Sequence, residues 1–270
     1  MYGTGWTIVV ALLAAFGIAV IATPAGISGA VLLLPFQVSV LGTPSPAVTP
    51  TNLLYNVVAT PGALYRYRRQ HQTGGRLALL LTGGTLPGVI AGSVIRVDLI
   101  PGPKIFDLVV SAVLLPLGAW LTATGAARRA PPARRAAPAR PPRHIPSPVL
   151  IGLACLVGCV GGIYGIGGGS ILSPVLIGTG RPAADVAPAA LAATFVTSVA
   201  GVATFTILSV QHPGSVAPDW PTGVALGLGG LAGGYTGARI QARLPDTLIR
   251  RTVGVLVMAI AARYLWSGLS

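Results

Sequence analysis

The chain has 270 residues, of which 53% are hydrophobic and only 9% charged. A water-soluble domain carries about 25% charged residues, so this composition excludes an ordinary soluble fold. The net charge of +13 does not point to nucleic acid, because most of the 18 Lys and Arg sit in short links between apolar runs, the distribution of a membrane protein with basic loops on one side.

In chain order, the apolar runs cover residues 6–22, 77–95, 105–124, 149–163, 187–210, 221–238 and 252–266. Several approach or exceed the roughly 18 residues that mark a membrane span. Helices are the expected form, since lipid cannot satisfy free backbone groups and the alternating pattern of a barrel is missing. The opening "MYGTGWTIVVALLAAF" lacks a basic leader and reads as a retained first span. Mean hydropathy is +0.77, in keeping with an all-α polytopic membrane protein.

The chain repeats itself. "ATPAGISGAVLLLPFQV" (22–38) aligns with "GGIYGIGGGSILSPVLI" (161–177), pairing Gly26 with Gly165, Gly29 with Gly168 and Pro35 with Pro174. The match continues from 43–63 to 181–201, pairing Pro50 with Pro188 and Leu53 with Leu191, and from 86–95 to 231–240, pairing Gly88 with Gly233 and Gly92 with Gly237. The expected domains are a first transmembrane repeat (1–124), a basic Pro/Ala/Arg-rich linker (125–147) and a second repeat (148–270). Each repeat reads as five helical segments. The second segment of each, at about 28–42 and 167–180, is short and Gly-led, and either crosses the bilayer or re-enters it.

Charge placement gives the repeats opposite orientation. Arg66, Arg68, Arg69 and Arg76 follow the third segment of the first copy, while the matching loop of the second copy has no Lys or Arg. After the fourth segment the bias reverses, with Arg239, Arg243, Arg250 and Arg251 in the second copy. Loops 66–76, 125–147 and 239–251 are expected to be cytoplasmic and both termini outside. Inverted-topology repeats of this kind belong to secondary transporters.

Two sets of glycines have different expected roles. Gly84, Gly88 and Gly92, with Gly229, Gly233 and Gly237, have the spacing of close helix packing. Gly26 and Gly29, with Gly165, Gly167, Gly168 and Gly169, interrupt short segments at matching places in the two halves, the sequence pointer to a midplane site. Broken helices expose backbone N–H groups that favour an anion. Ser28, Ser170, Asn52, Asn56, Thr194 and Ser198 are the polar side chains expected to line that site, Asn52 and Asn56 lying one helical turn apart. There is no glutamate, and the five aspartates lie near span ends. A cation carrier places a carboxylate in mid-membrane, which this chain lacks. Asp185 is the candidate for proton coupling, with helix capping as its plain alternative. Cys155 and Cys159 read as small packing residues, no metal spacing is present, and no cofactor is expected.

The stretches "GIGGGSILSPVL" and "GISGAVLLLPFQVSVLGTPSPAVTPTNLL…GALYRYRR" resemble the TauE/SafE sulfite exporter family. That family pairs a glycine cluster with a short proline-bearing stretch, a Ser/Thr-bearing helix and a basic loop, twice over. The first copy departs from it in "AGISGA" and "TNLLYN". The resemblance implies transport of a small sulfur-containing anion such as sulfite or a sulfonate. The expected function is therefore a secondary transporter working by alternating access in the cytoplasmic membrane, with the bilayer and a small anion as partners. Two alternatives are a passive anion channel and a carrier of an unrelated organic anion. No intramembrane catalytic motif is present, so an enzyme is not expected.

Overall fold

A computed structural model describes residues 4–44, 47–70, 75–100, 146–179, 181–211 and 216–243, with scattered residues of 104–123 and 251–268. Linker residues 125–145 lie outside the described residues. The described residues are helical with no strand. Helix α1 is Thr4–Ala22, followed by a 3₁₀ turn at Thr23–Ala25. Helix α2 is Ala30–Phe36 and runs into a π-helical turn at Gln37–Leu41. Helices α3 (Val48–Arg69) and α4 (Gly75–Asp98) follow. The second half supplies α5 (Ser147–Tyr164), α6 (Gly169–Gly178), α7 (Ala183–Gln211) and α8 (Trp220–Ile240). All described residues within 104–123 and 251–268 are helical too.

Residues of α1, α4, α5 and α7 form four helices long and apolar enough to cross a bilayer. Their outward side chains are large and apolar: Leu79 is 76% exposed, Leu156 71% and Val210 80%. In water such a surface would be a liability, and against lipid it is ordinary. Helix α3 is the expected third helical segment of the first copy, although its polar content kept it out of the apolar runs. It is a 22-residue helix whose Thr49, Thr51, Asn52, Asn56 and Thr60 are buried. They face protein, since α3 packs on both α7 and α8.

The packing crosses between the halves. Helix α1 packs along α8, and α4 along α5. Both seams are built from glycine. A methyl group at Gly229, Gly233 or Gly237 would meet the carbonyls of Leu12, Phe16 and Val20, respectively. One at Gly88 or Gly92 would collide with the carbonyl of Cys155 or Cys159, and Gly158 and Gly162 return the contact against Thr85 and Val89. These glycines hold backbones in direct contact, as their spacing implied.

Helices α3 and α7 run antiparallel. Leu53, near the start of α3, lies against Gly201 and Phe205 towards the end of α7. Ala63 and Tyr67, near the end of α3, cluster with Ala187 and Leu191 near the start of α7. Helix α8 runs parallel to α3, with Leu54 on Gly223, Val58 on Gly227 and Leu231 on Gly62. Arg66, Arg68 and Arg69 therefore share one end of the bundle with Arg239.

Candidate functional site

The two glycine breaks meet. Gly26 ends the first 3₁₀ turn at φ +68°, and Gly165 ends α5 at φ +81°. Both adopt the left-handed region that an L side chain resists, so the chain reverses there at little strain. Gly167, at φ +72°, carries the second reversal into α6. The breaks are joined by the Ser28 backbone N–H, which donates to Ser170 Oγ at 3.2 Å. Ser173 Oγ donates to the Ala25 carbonyl at 3.0 Å, and a Cβ on Gly26 would run into Ala187 of α7.

Hydroxyl groups satisfy the backbone at both breaks. The Ala30 N–H donates to Ser28 Oγ at 3.1 Å, and the Gly168 N–H to Thr197 Oγ1 at 3.1 Å. Ser28 Oγ in turn donates to Asn56 Oδ1. Ser170 Oγ lies 3.3 Å from Thr194 Oγ1. Gly169 packs on the Ala190 carbonyl, and Gly165 on that of Thr49. All the predicted lining residues except Asp185 thus fall in one buried region between α2, α3, α6 and α7. Asp185 stands in the first turn of α7 with an exposed side chain, where a carboxylate complements the helix dipole.

Within that region, Asn52 and Asn56 divide the work. Asn52 is engaged at both ends: Oδ1 accepts from Gln37 Nε2 at 3.0 Å, and Nδ2 donates to the Ala30 carbonyl at 2.9 Å. It fastens α2 to α3. Asn56 Nδ2, Ser198 Oγ and Gln37 Oε1 are buried without a hydrogen-bond partner. Each orphaned polar atom costs about 1–3 kcal/mol unless a water or a ligand satisfies it.

A narrow cleft, with a volume of about 10 Å³, opens beside the first break. Thr23, Ser28, Gly29, Tyr55, Thr60 and Gly230 are among its walls. Ala63 and Gly234 line it on the side nearer the end of the bundle that carries Arg66 and Arg239. Near that end Tyr65 stacks with Tyr235, and the guanidinium groups of Arg69 and Arg66 lie 5.0 Å and 5.9 Å from the Tyr65 and Tyr235 ring centres.

Three contributors were missed in the sequence. Gln37 is, with Ser39, one of two polar residues inside "LLLPFQVSVL", and an amide in so apolar a stretch was its signal. Arg96 is fully buried one turn from the end of α4; its Nε donates to Thr49 Oγ1 at 3.3 Å and its Nη1 to the Ile100 carbonyl. Thr49 Oγ1 donates to the Ile163 carbonyl at 3.2 Å, so Arg96 braces the second break. Gln241 reaches the Pro24 carbonyl at 2.7 Å and braces the first. Neither brace is visible before α4 and α8 are placed beside α5 and α1.

The sequence profile of the sulfite exporter TauE/SafE family matches residues 11–264. The chain belongs to that family. It is also similar to a probable membrane transporter protein of Xylella fastidiosa (strain 9a5c), 29% identical over 118 residues. That match spans 42% of this chain and 42% of the relative. No solved structure matches the chain. As a TauE/SafE member with, among the described residues, four helices long and apolar enough to cross a bilayer, the protein is a multi-pass membrane protein.

Proposed function

We propose that this TauE/SafE member is a secondary transporter of a small sulfur-containing anion, such as sulfite or a sulfonate, held where the two glycine breaks meet. The observation that carries the reading is the buried, partnerless Asn56 Nδ2 beside Ser28, which itself lines the cleft. Asn56 Nδ2 is a pure donor. Ser28, Ser170, Thr194 and Ser198 add hydroxyl donors, and Gly26, Gly29 and Gly165–Gly169 let backbone come close. The family's name supplies the sulfur chemistry.

Residues 1–124 and 148–270 act as inverted repeats in this reading, joined by a cytoplasmic linker at 125–147. The antiparallel run of α3 and α7 supports it, as do the exchanged seams α1–α8 and α4–α5. Alternating access then follows from rocking one repeat against the other around a fixed site. The basic end of the bundle faces the cytoplasm and both termini lie outside. Asp185 is the acid available for proton coupling.

The test is a melting panel on purified protein with sulfite, thiosulfate, sulfate, taurine, sulfoacetate and an aryl sulfonate, with chloride as control. A ligand of the folded state stabilises it by about 2.7 kcal/mol at 100 times its dissociation constant. The expected result is a saturable shift with one sulfur anion that Asn56→Ala removes. Shifts only with an unrelated solute would overturn the substrate class. Saturable flux driven by a second ion gradient separates a carrier from a channel.

A further inference from the structure

The open cleft has a counterpart that is shut. Aligned repeat to repeat, Ser28, Gly29, Thr60 and Ala63 of the first copy correspond to Gly167, Gly168, Ser198 and Gly201 of the second. The walls that come from the opposite copy, Leu191, Gly230 and Gly234, correspond to Leu53, Thr85 and Val89. The two sets differ in volume. Where α8 offers glycines to the first break, α4 offers a threonine and a valine to the second. A Cβ on Gly168 would overlap the Thr85 side chain, and one on Gly201 would lie 2.7 Å from Leu53 Cδ1 and 3.3 Å from Val89 Cγ1. Tyr55 has only Ala193 as its counterpart, and the Thr85 side chain takes up the room this leaves.

Burial follows the same asymmetry. Of the paired walls, Ala59 and Thr60 keep 6% and 5% exposure, whereas their counterparts Thr197 and Ser198 keep none. The shut side nevertheless contains a polar atom with nothing to bond: Ser198 Oγ, 2.9 Å from where a Cβ on Gly167 would stand. An apolar plug would not need a hydroxyl there, and an orphaned one is costly.

We infer that Gly167, Gly168, Thr194, Thr197, Ser198 and Gly201 form a second access cleft for the same small anion, closed in this structure by Leu53, Thr85 and Val89. It opens to the face opposite the basic end, because α7 runs antiparallel to α3. The inference rests on the inverted-repeat transporter reading above. Thr85 and Val89 of α4 set which cleft is open, and hydroxyls of Thr194, Thr197 and Ser198 meet the anion when they withdraw.

Single cysteines test it, in full-length protein with Cys155 and Cys159 replaced by alanine, in membrane vesicles of both orientations. Thr60→Cys and Ser198→Cys are labelled with a membrane-impermeant maleimide. Thr60→Cys is expected to react only from the face carrying Arg66 and Arg239, and Ser198→Cys only from the other face and more slowly. Replacing Thr85 and Val89 together by glycine, the residue their α8 counterparts already have, should raise the Ser198→Cys rate about tenfold, as a shift in the populations of two states would. The alanine pair is the milder variant if the glycines unfold α4. Ser198→Cys that stays unlabelled from both faces in the glycine and alanine variants overturns the second cleft, while sided labelling of Thr60→Cys leaves the repeat topology standing. Labelling of both cysteines from one face overturns the inverted reading itself.

Discussion

Gly92 has no room for a methyl group. Its α4 backbone touches the Cys159 carbonyl of α5, so alanine must either push the helices apart or strain the seam. Gly92→Ala is expected to destabilise the protein by about 1–3 kcal/mol, read as a lower melting temperature in detergent. Gly83, which has open space around it, provides the control: alanine there should be neutral or slightly stabilising. Asn52 and Asn56 separate in the same way. Asn52→Ala removes two buried hydrogen bonds and should lower stability with or without ligand. Asn56→Ala removes a donor that has no partner and the single hydrogen bond from Ser28 Oγ, so it should cost less stability than Asn52→Ala and abolish the anion-dependent part of the shift. Equal losses from both variants in both conditions would make Asn56 a structural residue.

At the scale of elements, the short helices depend on partners from the other repeat. Residues 30–41 form one continuous stretch. It rises about 18 Å at 1.5 Å per residue, roughly half of the hydrocarbon core. Pro35 lies inside it and has no N–H to reach the Val31 carbonyl. Tyr164, from the end of α5, donates its hydroxyl to that carbonyl at 2.9 Å. Tyr164→Phe should therefore cost about 1–3 kcal/mol. In a Pro35→Ala background the cost should shrink, because the restored N–H can serve Val31. A double-mutant cycle on melting measures this coupling, and additive losses would refute it. The glycine breaks, the inner proline and the short length were all legible as spacing in the sequence. The partner hydroxyls were not, because Tyr164 is 133 residues away from Val31 in the chain.

Across the whole molecule, the basic end and the exchanged seams set the topology. Arginines at the ends of α3 and α8 lie together because those helices run parallel. Cysteines introduced at Gln70 and Ser147 should both be labelled from the cytoplasmic face, and one at Asp219 from the outside. Asp219 caps α8 through the Thr222 N–H at 3.2 Å, so Asp219→Cys is also expected to fray that helix start slightly. Proton coupling is read at the same scale. If Asp185 carries the proton, Asp185→Asn should abolish pH-driven uptake in vesicles and leave anion binding intact. If it only complements the start of α7, stability falls by less than about 1 kcal/mol and flux is unchanged.

Composition alone determined that the chain lives in a bilayer, since a surface with so few charges cannot be covered by water. The internal repeat placed the breaks, because glycine and proline act on the backbone through purely local sterics. Spacing also distinguished packing glycines from breaking ones. What the sequence could not determine was which helix each face meets. Asn52 and Asn56 of α3 read as lining a site, and only the packing of α3 on α7 and α8 shows which helices surround them. Arg96 and Gln241 became braces only once α4 lay on α5 and α8 on α1. The proposed difference between an open and a shut cleft rests on the side chains that one half sends into the other. That contact is non-local, so no single segment of the chain encodes it.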